Sequence, residues 1–267
     1  MTTAREIAQL FETIAPITSG IQGDELGFIY GDPDQTVRGV GCAWIASAAT
    51  IKTAAEAGLN MLICHEALCE SPQTSPWYDG PAVDAIHSNN LRKQLLDQYG
   101  IVVYRSHSNW DALKGDGVPD QALAALGIAG LREVARQRFF SVQELPEAHT
   151  AGWLYEQACA GLGFKAGRLF GDPAKPIRRF AFLIGGFGEN QLHMPQAARD
   201  LGAEAIIIGE MSEFVVIACL EMGLPVIETL HSVSESPAIR RQAQLLAERL
   251  PNLPVRFIPS GAGIALM

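Results

Sequence analysis

Three short apolar runs in this chain stop abruptly at imidazole and carboxylate side chains. Asn60–Cys64 runs straight into His65 and Glu66. Ile101–Arg105 is followed by His107 and, four residues on, Asp111, within SHSNWDA. The run at 225–229 is followed by His231 and, four residues on, Glu235, within LHSVSE. Neutral imidazole nitrogen and carboxylate oxygen together suit zinc, manganese or iron, and carboxylates can bridge two cations. Two such ions roughly 3.5–4 Å apart can stabilise both the attacking and the leaving oxygen of a hydrolysis. The candidate ligands are therefore His65, Glu66, Asp111, His231 and Glu235, with His107 and Glu66 as candidate proton carriers. His87, His149 and His193 do not stand at such ends.

Each pair taken alone has a plainer reading. A histidine after a strand is an ordinary hydrogen-bonded loop residue, Asp111 suits the cap of a turn, and Glu235 suits the start of a helix beginning near Pro237. What favours one site is the coincidence of three such pairs at strand ends, where ligands gather in parallel α/β sheets. Gly185-Gly-Phe-Gly188 reads as a tight strand-to-helix turn, or else as a backbone approach to phosphate, but it has neither GxGxxG spacing nor a Walker lysine. No GxSxG elbow is present, and nothing marks Ser106, Ser108 or Ser234 as a nucleophile. Cys64 and the tryptophans Trp44, Trp77, Trp110 and Trp153 read as packing groups.

The elements that carry these residues follow from hydrophobic spacing. Ile7, Leu10, Phe11 and Ile14 define an amphipathic helix over 4–14. A loop with Gly, Asp and Pro then ends near 31–35. Strands are expected at 37–46, 60–64 and 101–105, with helices at 48–58 and 82–98, a loop at 71–80 and a polar loop over 107–120. Strand and helix in alternation imply crossover connections and a largely parallel sheet. After a helix at 119–126 come a strand at 132–142, a helix at 150–162, a strand at 178–184, a helix at 190–201, a strand at 204–208, a helix at 212–222 and a strand at 225–229. A helix at 237–249 and a strand at 254–258 close the chain. The expected architecture is two packed α/β lobes with mixed, largely parallel sheets. Residues 1–126 plus 229–267 form a metal-site lobe, and 127–228 a second lobe.

Length and composition set the outer bounds. The chain's 267 residues exceed the roughly 100–200 of one domain. A net charge of −9, with no lysine- or arginine-rich block, argues against a nucleic-acid binder that neutralises phosphates. Five scattered cysteines without a CxxC pair fit a reducing compartment rather than a disulfide framework. The first residues lack a basic start and apolar run, and no apolar stretch approaches the roughly 20 residues that span a bilayer. A cytoplasmic protein without a membrane segment is expected.

At the same residues the sequence resembles the Nif-three-like (NGG-interacting factor three) family, dinuclear-metal proteins labelled GTP cyclohydrolase I type 2. The likeness covers GDPDQTVRGV at 31–40, AAEAGLNMLICHEAL at 54–68 and VVYRSHSNWDALKGDGVPDQALAALGI at 102–128. It resumes in LIGGFG at 183–188, AEAIIIGE at 203–210 and GLPVIETLHSVSES at 223–236. HxNxD (His107, Asn109, Asp111) and HxxxE (His231, Glu235) are its most specific pieces. The resemblance implies that His65 is the first of a histidine pair of ligands. It implies that Asp111, His231 and Glu235 are further ligands, one carboxylate bridging, and that His107 lines the site. It also implies hexameric rings with sites facing an internal cavity. The chain departs from the family pattern at Glu66, which stands where a second histidine is common, near Ala46, where an aspartate is missing, and at Phe214, often histidine.

Two functions follow as expectations. One is a hydrolase using one or two divalent ions per chain on a small polar or nucleotide-like substrate. The other is a non-enzymatic metal-binding scaffold or regulatory partner.

Overall fold

Thr3 opens the first helix, α1 (Ala4–Glu12), through a reciprocal cap in which its hydroxyl accepts from the Glu6 amide and the Glu6 carboxylate accepts from its own. Two amides that the helix cannot pair internally are thereby satisfied. The buried face of α1 carries Ile7 and Phe11. The computed structural model describes residues 2–69, 86–165 and 167–262. The loop expected at 71–80 and the first residues of the helix expected at 82–98 lie outside them.

The chain divides into two compact units, Met1–Leu113 with Ile239–Gly261, and a second whose main span is Lys114–Ala238. In the first unit β1 (Gly27–Tyr30), β2 (Val40–Ala43), α2 (Ala48–Glu56), β3 (Met61–Cys64), α3 (His87–Tyr99), β4 (Val102–Arg105) and α4 (Ser108–Asp111) follow α1. Together with β13 (Val255–Ile258) they make a five-stranded sheet, ordered β1-β4-β3-β2-β13. The β4/β3, β3/β2 and β2/β13 pairs are parallel, and only β1 runs antiparallel, at the edge. Every residue of β2, β3 and β4 is buried, as strands covered on both faces require. Each aliphatic side chain such as Leu62 or Ile63 contributes about 1.5–3 kcal/mol by that burial.

The second unit contains α5 (Val118–Ala125), β5 (Arg132–Arg136), β6 (Phe140–Thr150), α6 (Ala151–Leu162), β7 (Arg168–Phe170), β8 (Pro176–Leu183) and β9 (Gly186–Phe187). These are followed by α7 (His193–Asp200), β10 (Ile206–Ile208), β11 (Glu210–Met211), α8 (Glu213–Glu221) and β12 (Val226–Glu228). Its six-stranded sheet, ordered β5-β6-β8-β10-β12-β7, is parallel at its centre and antiparallel towards both edges. The mixed α/β class with mixed, largely parallel sheets is thus observed. The last helix, α9 (His231–Arg249), begins in the second unit and continues into the first at Ile239.

Four local expectations are corrected. The strand expected at 132–142 is a hairpin, β5 and β6, turned where the Gln137 amide donates to Phe140 O. The short edge strands β1 and β7 were not anticipated. The polar loop expected over 107–120 contains α4, whose Ser108, Asn109, Trp110 and Asp111 are all buried. The Ser108 and Asn109 side chains find partners inside the protein, so polarity there does not mean exposure. Finally, α9 starts at His231, not near Pro237, and holds Pro237 inside it. Two serine hydroxyls cap carbonyls of its first turn, Ser234 that of His231 and Ser236 that of Ser232.

Candidate metal centre

In the first unit β3 and β4 lie side by side and parallel, with Cys64 opposite Arg105. The residues that follow them therefore leave the same sheet edge. His65 is 1% exposed, and its Nδ1 donates to Ser106 O at 3.1 Å, which leaves Nε2 as the acceptor nitrogen. His107 caps the start of α4 and receives the Asp111 amide on its carbonyl. That single turn returns the Asp111 carboxylate towards both imidazoles. His65 Nε2 stands 3.3 Å from Asp111 Oδ1, and His107 Nε2 stands 4.0 Å from Asp111 Oδ2. The two rings are 4.9 Å apart, edge to face. One ligand atom from each of His65, His107 and Asp111 lies within 4.8 Å of the others.

Neighbouring side chains hold this set rigid. Asn109, the middle residue of HxNxD, donates to Ala15 O at 2.9 Å and accepts from the Ser106 hydroxyl at 3.2 Å. Trp110 is fully buried, stacked on Phe11 of α1 at 5.8 Å. Arg105 donates to His65 O and to Asp24 Oδ1. Glu66 is half-buried, its amide donating to Trp44 O, and a carboxylate oxygen lies within 4.8 Å of a His65 ring nitrogen.

The second unit has its own imidazole–carboxylate set. Because α9 starts at His231, Glu235 lies one helical turn on, and its Oε1 is 3.2 Å from His231 Nε2. On the other side of the ring, Glu210 Oε1 is 3.4 Å from Nδ1. Hydrogen bonding from His231 holds the Glu210 carboxyl below the ordinary glutamate range. The backbone is shaped to admit the ring. Leu230 has φ 83°, an unfavourable conformation for a leucine, and its amide donates a hydrogen bond to Gly209 O. Gly185 has φ 74°, and a Cβ there would stand 3.3 Å from His231 Nε2; one at Gly209 would stand 2.6 Å from His231 Cα. The GGFG segment is not the tight strand-to-helix turn expected, since Gly186–Phe187 form β9 against β11, and the missing side chain of Gly185 leaves room for an imidazole. Glu210 also walls a cavity of about 430 Å³ shared with Arg168, Gly186, Phe187, Gly188, Met211 and Ser212.

The residues present fit a divalent cation. Asp111 Oδ1 is buried and accepts no hydrogen bond among the described residues, a costly state that a bound cation would relieve. Ligand atoms about 2.1 Å from one tetrahedral ion stand roughly 3.4 Å apart, close to the His65–Asp111 separation. Two residues of the two sets were missed. Glu210 also follows an apolar strand, but no histidine stands beside it in the sequence to mark it. Asp24 lies in a turn far earlier in the chain, with no spacing to betray it.

The fold and this donor chemistry define a two-unit α/β protein with imidazole–carboxylate sets at its strand ends. The family model described as Duf34/NIF3 (NGG1p interacting factor 3) matches residues 2–262, and the chain belongs to that family. A Clostridium perfringens protein named "GTP cyclohydrolase 1 type 2 homolog" is 27% identical over 264 residues, covering 96% of this chain and 95% of the relative. A solved Bacillus cereus protein related to NIF3 superposes with TM-score 0.79 at 18% identity, over 100% of this chain and 99% of its own. The solved protein ybgI, of unknown function, gives TM-score 0.80 at 23% identity over 98% and 99%. Among the described residues no helix is long and apolar enough to cross a membrane.

Proposed function

We propose that this protein is a divalent-metal-dependent hydrolase acting on a small polar or nucleotide-like substrate. The observation that carries the reading is the His65–His107–Asp111 set, in which His65 and Asp111 are buried, both imidazoles are held by their Nδ1 and Asp111 Oδ1 accepts no hydrogen bond among the described residues. His65 and Asp111 are the core ligands, and Glu66, His231 and Glu235 further ones. Metal stoichiometry in His65→Ala and His231→Ala proteins decides whether the two sets serve one centre or separate ions. A divalent ion supplies Lewis acidity and makes water a competent nucleophile near neutral pH. His107, 30% exposed at its side chain where His65 is 0%, offers Nε2 as a further ligand beside Asp111, which leaves Glu66 to take and return a proton. The polar cavity beside Glu210 suits a small polar substrate.

The donor set admits zinc, manganese or iron, and a carboxylate at Glu66 favours the harder of these. The name carried by the C. perfringens relative makes guanine nucleotides the first substrates to try. Exposed Phe214 and Ile217 on α8, at 75% and 50%, support self-association, for which a hexamer is the family expectation. Light scattering on the purified protein tests that mass. Metal-loaded protein should hydrolyse a member of a panel of GTP, cyclic nucleotides and phosphoesters, and Asp111→Ala should abolish the reaction. Full metal occupancy with no turnover across the panel would favour the scaffold function instead, and activity surviving Asp111→Ala would discard the site.

A further inference from the structure

Asp24, in the turn before β1, has a side chain only 12% exposed and makes four hydrogen bonds to residues that end β4 and begin α4. Its Oδ2 accepts from His107 Nδ1 at 2.9 Å, from the Ser108 amide at 3.2 Å and from the Ser108 hydroxyl at 2.5 Å. Its Oδ1 accepts from Arg105 Nη1 at 2.6 Å. Arg105 is always charged and pairs with this carboxyl while both Ser108 donors point at it, so it stands as an ionised carboxylate. An ionised carboxylate only accepts, so the proton of the pair belongs to His107 Nδ1. In a neutral ring Nε2 then keeps its lone pair, on the Asp111 side. Swapping that tautomer would point an N–H at Asp111 and remove a donor atom from the set.

We propose that Asp24 is a positioning residue that locks His107 as the Nδ1–H tautomer, so that its bare Nε2 faces Asp111 and sets the affinity of the site for a divalent cation. The affinity part rests on the metal reading above; the tautomer part does not. Oriented carboxylate–histidine pairs of this kind raise affinity about 10- to 100-fold in metal sites.

The tautomer is read from ¹⁵N-edited NMR of the metal-free protein, with the His107 signals identified by their loss in His107→Gln. The wild type should show Nδ1–H. Asp24→Asn should convert the ring to Nε2–H or a mixture, because its amide donates where the carboxylate accepted. Ser108→Ala removes other bonds to the same carboxylate and should leave the tautomer unchanged. Zinc isotherms should then show Asp24→Asn weakening binding about 10- to 100-fold in the wild-type background and not at all in a His107→Ala background. Nε2–H in the wild type overturns the proposal without any variant, and so does an equal affinity loss in both backgrounds, which marks Asp24 as a mere fold contact. Wild-type protein that takes up no zinc sinks the metal reading and the affinity claim together, while the NMR still decides the tautomer.

Discussion

In the first unit the imidazoles are held from behind by partners, His65 by the Ser106 carbonyl and His107 by the Asp24 carboxylate. In the second, His231 is accommodated by what is missing, since Gly185 and Gly209 present no side chain where its ring and backbone pass. The first set is also deeper. The side chains of His65 and Asp111 are 0% and 5% exposed, whereas His231 is 21% and Glu210 55% exposed. Burial makes each charge in the first set expensive unless it is matched, which suits a fixed ion. Exposure in the second leaves Glu210 reachable from the adjoining cavity, which suits a ligand that comes and goes. One set is organised by hydrogen bonds and the other by space, so substitutions should fail in different ways.

The largest difference should appear when one carboxylate is removed from each. Asp111→Ala deletes the carboxylate between two imidazoles and should weaken zinc or manganese binding by more than about 100-fold, beyond what an outer partner contributes. Glu210→Gln keeps the shape of a side chain open to water and should cost less than about 10-fold. Calorimetric titration of both variants decides this. Equal losses would mean that the two sets do not differ in the way their burial implies.

Next in size is a change of space alone. In Gly209→Ala the new methyl would meet Gly185 O and His231 Cα, each at 2.6 Å, both backbone atoms that cannot swing aside. Overpacking of this kind costs about 1–3 kcal/mol and should lower the melting temperature by several degrees. The counterpart in the first unit is Asn109→Ala, which strands Ala15 O and the Ser106 hydroxyl and should cost about 2 kcal/mol. Denaturant midpoints compare the two. Hydrogen exchange should localise the Gly209 effect around His231 and the Asn109 effect around Ala15. A Gly209→Ala protein of wild-type stability would refute the idea that empty space shapes that set.

These contrasts also explain how much could be read in advance. The strands β2, β3 and β4 were legible because burial on both faces leaves continuous apolar runs such as Met61–Cys64. His65, His107 and Asp111 were legible because they directly follow such runs, and the structure brings those three together. Edge strands β1 and β7 pair on one side only and lack that pattern, so they were missed. The early start of α9 was hidden by Pro237, which ordinarily marks a helix boundary. Asp24 was unreadable for a different reason: its hydrogen bond to His107 spans 83 residues, and no local spacing encodes a contact made only by folding.

The smallest expected effect concerns a buried acid outside both sets. Glu228, at the end of β12, is 2% exposed, paired with Arg168 at 2.5 Å and accepting from the Met211 amide at 2.7 Å. Burial outweighs these partners and raises its carboxyl above the ordinary glutamate value. In the window between the unfolded value, about 4.3, and the raised folded one, the folded chain therefore holds more of this proton than the unfolded chain. Stability from this group accordingly grows as pH falls into that window and is lost as pH rises through the folded value. Glu228→Gln has no proton to lose and should be insensitive there. The melting temperature of the wild type relative to this variant should therefore climb as pH is lowered from about 7 towards about 4.5. A difference that stays flat or shrinks would mean that the Arg168 pair, rather than burial, governs this carboxyl, and that the second unit stabilises its acids as the first does, by partners.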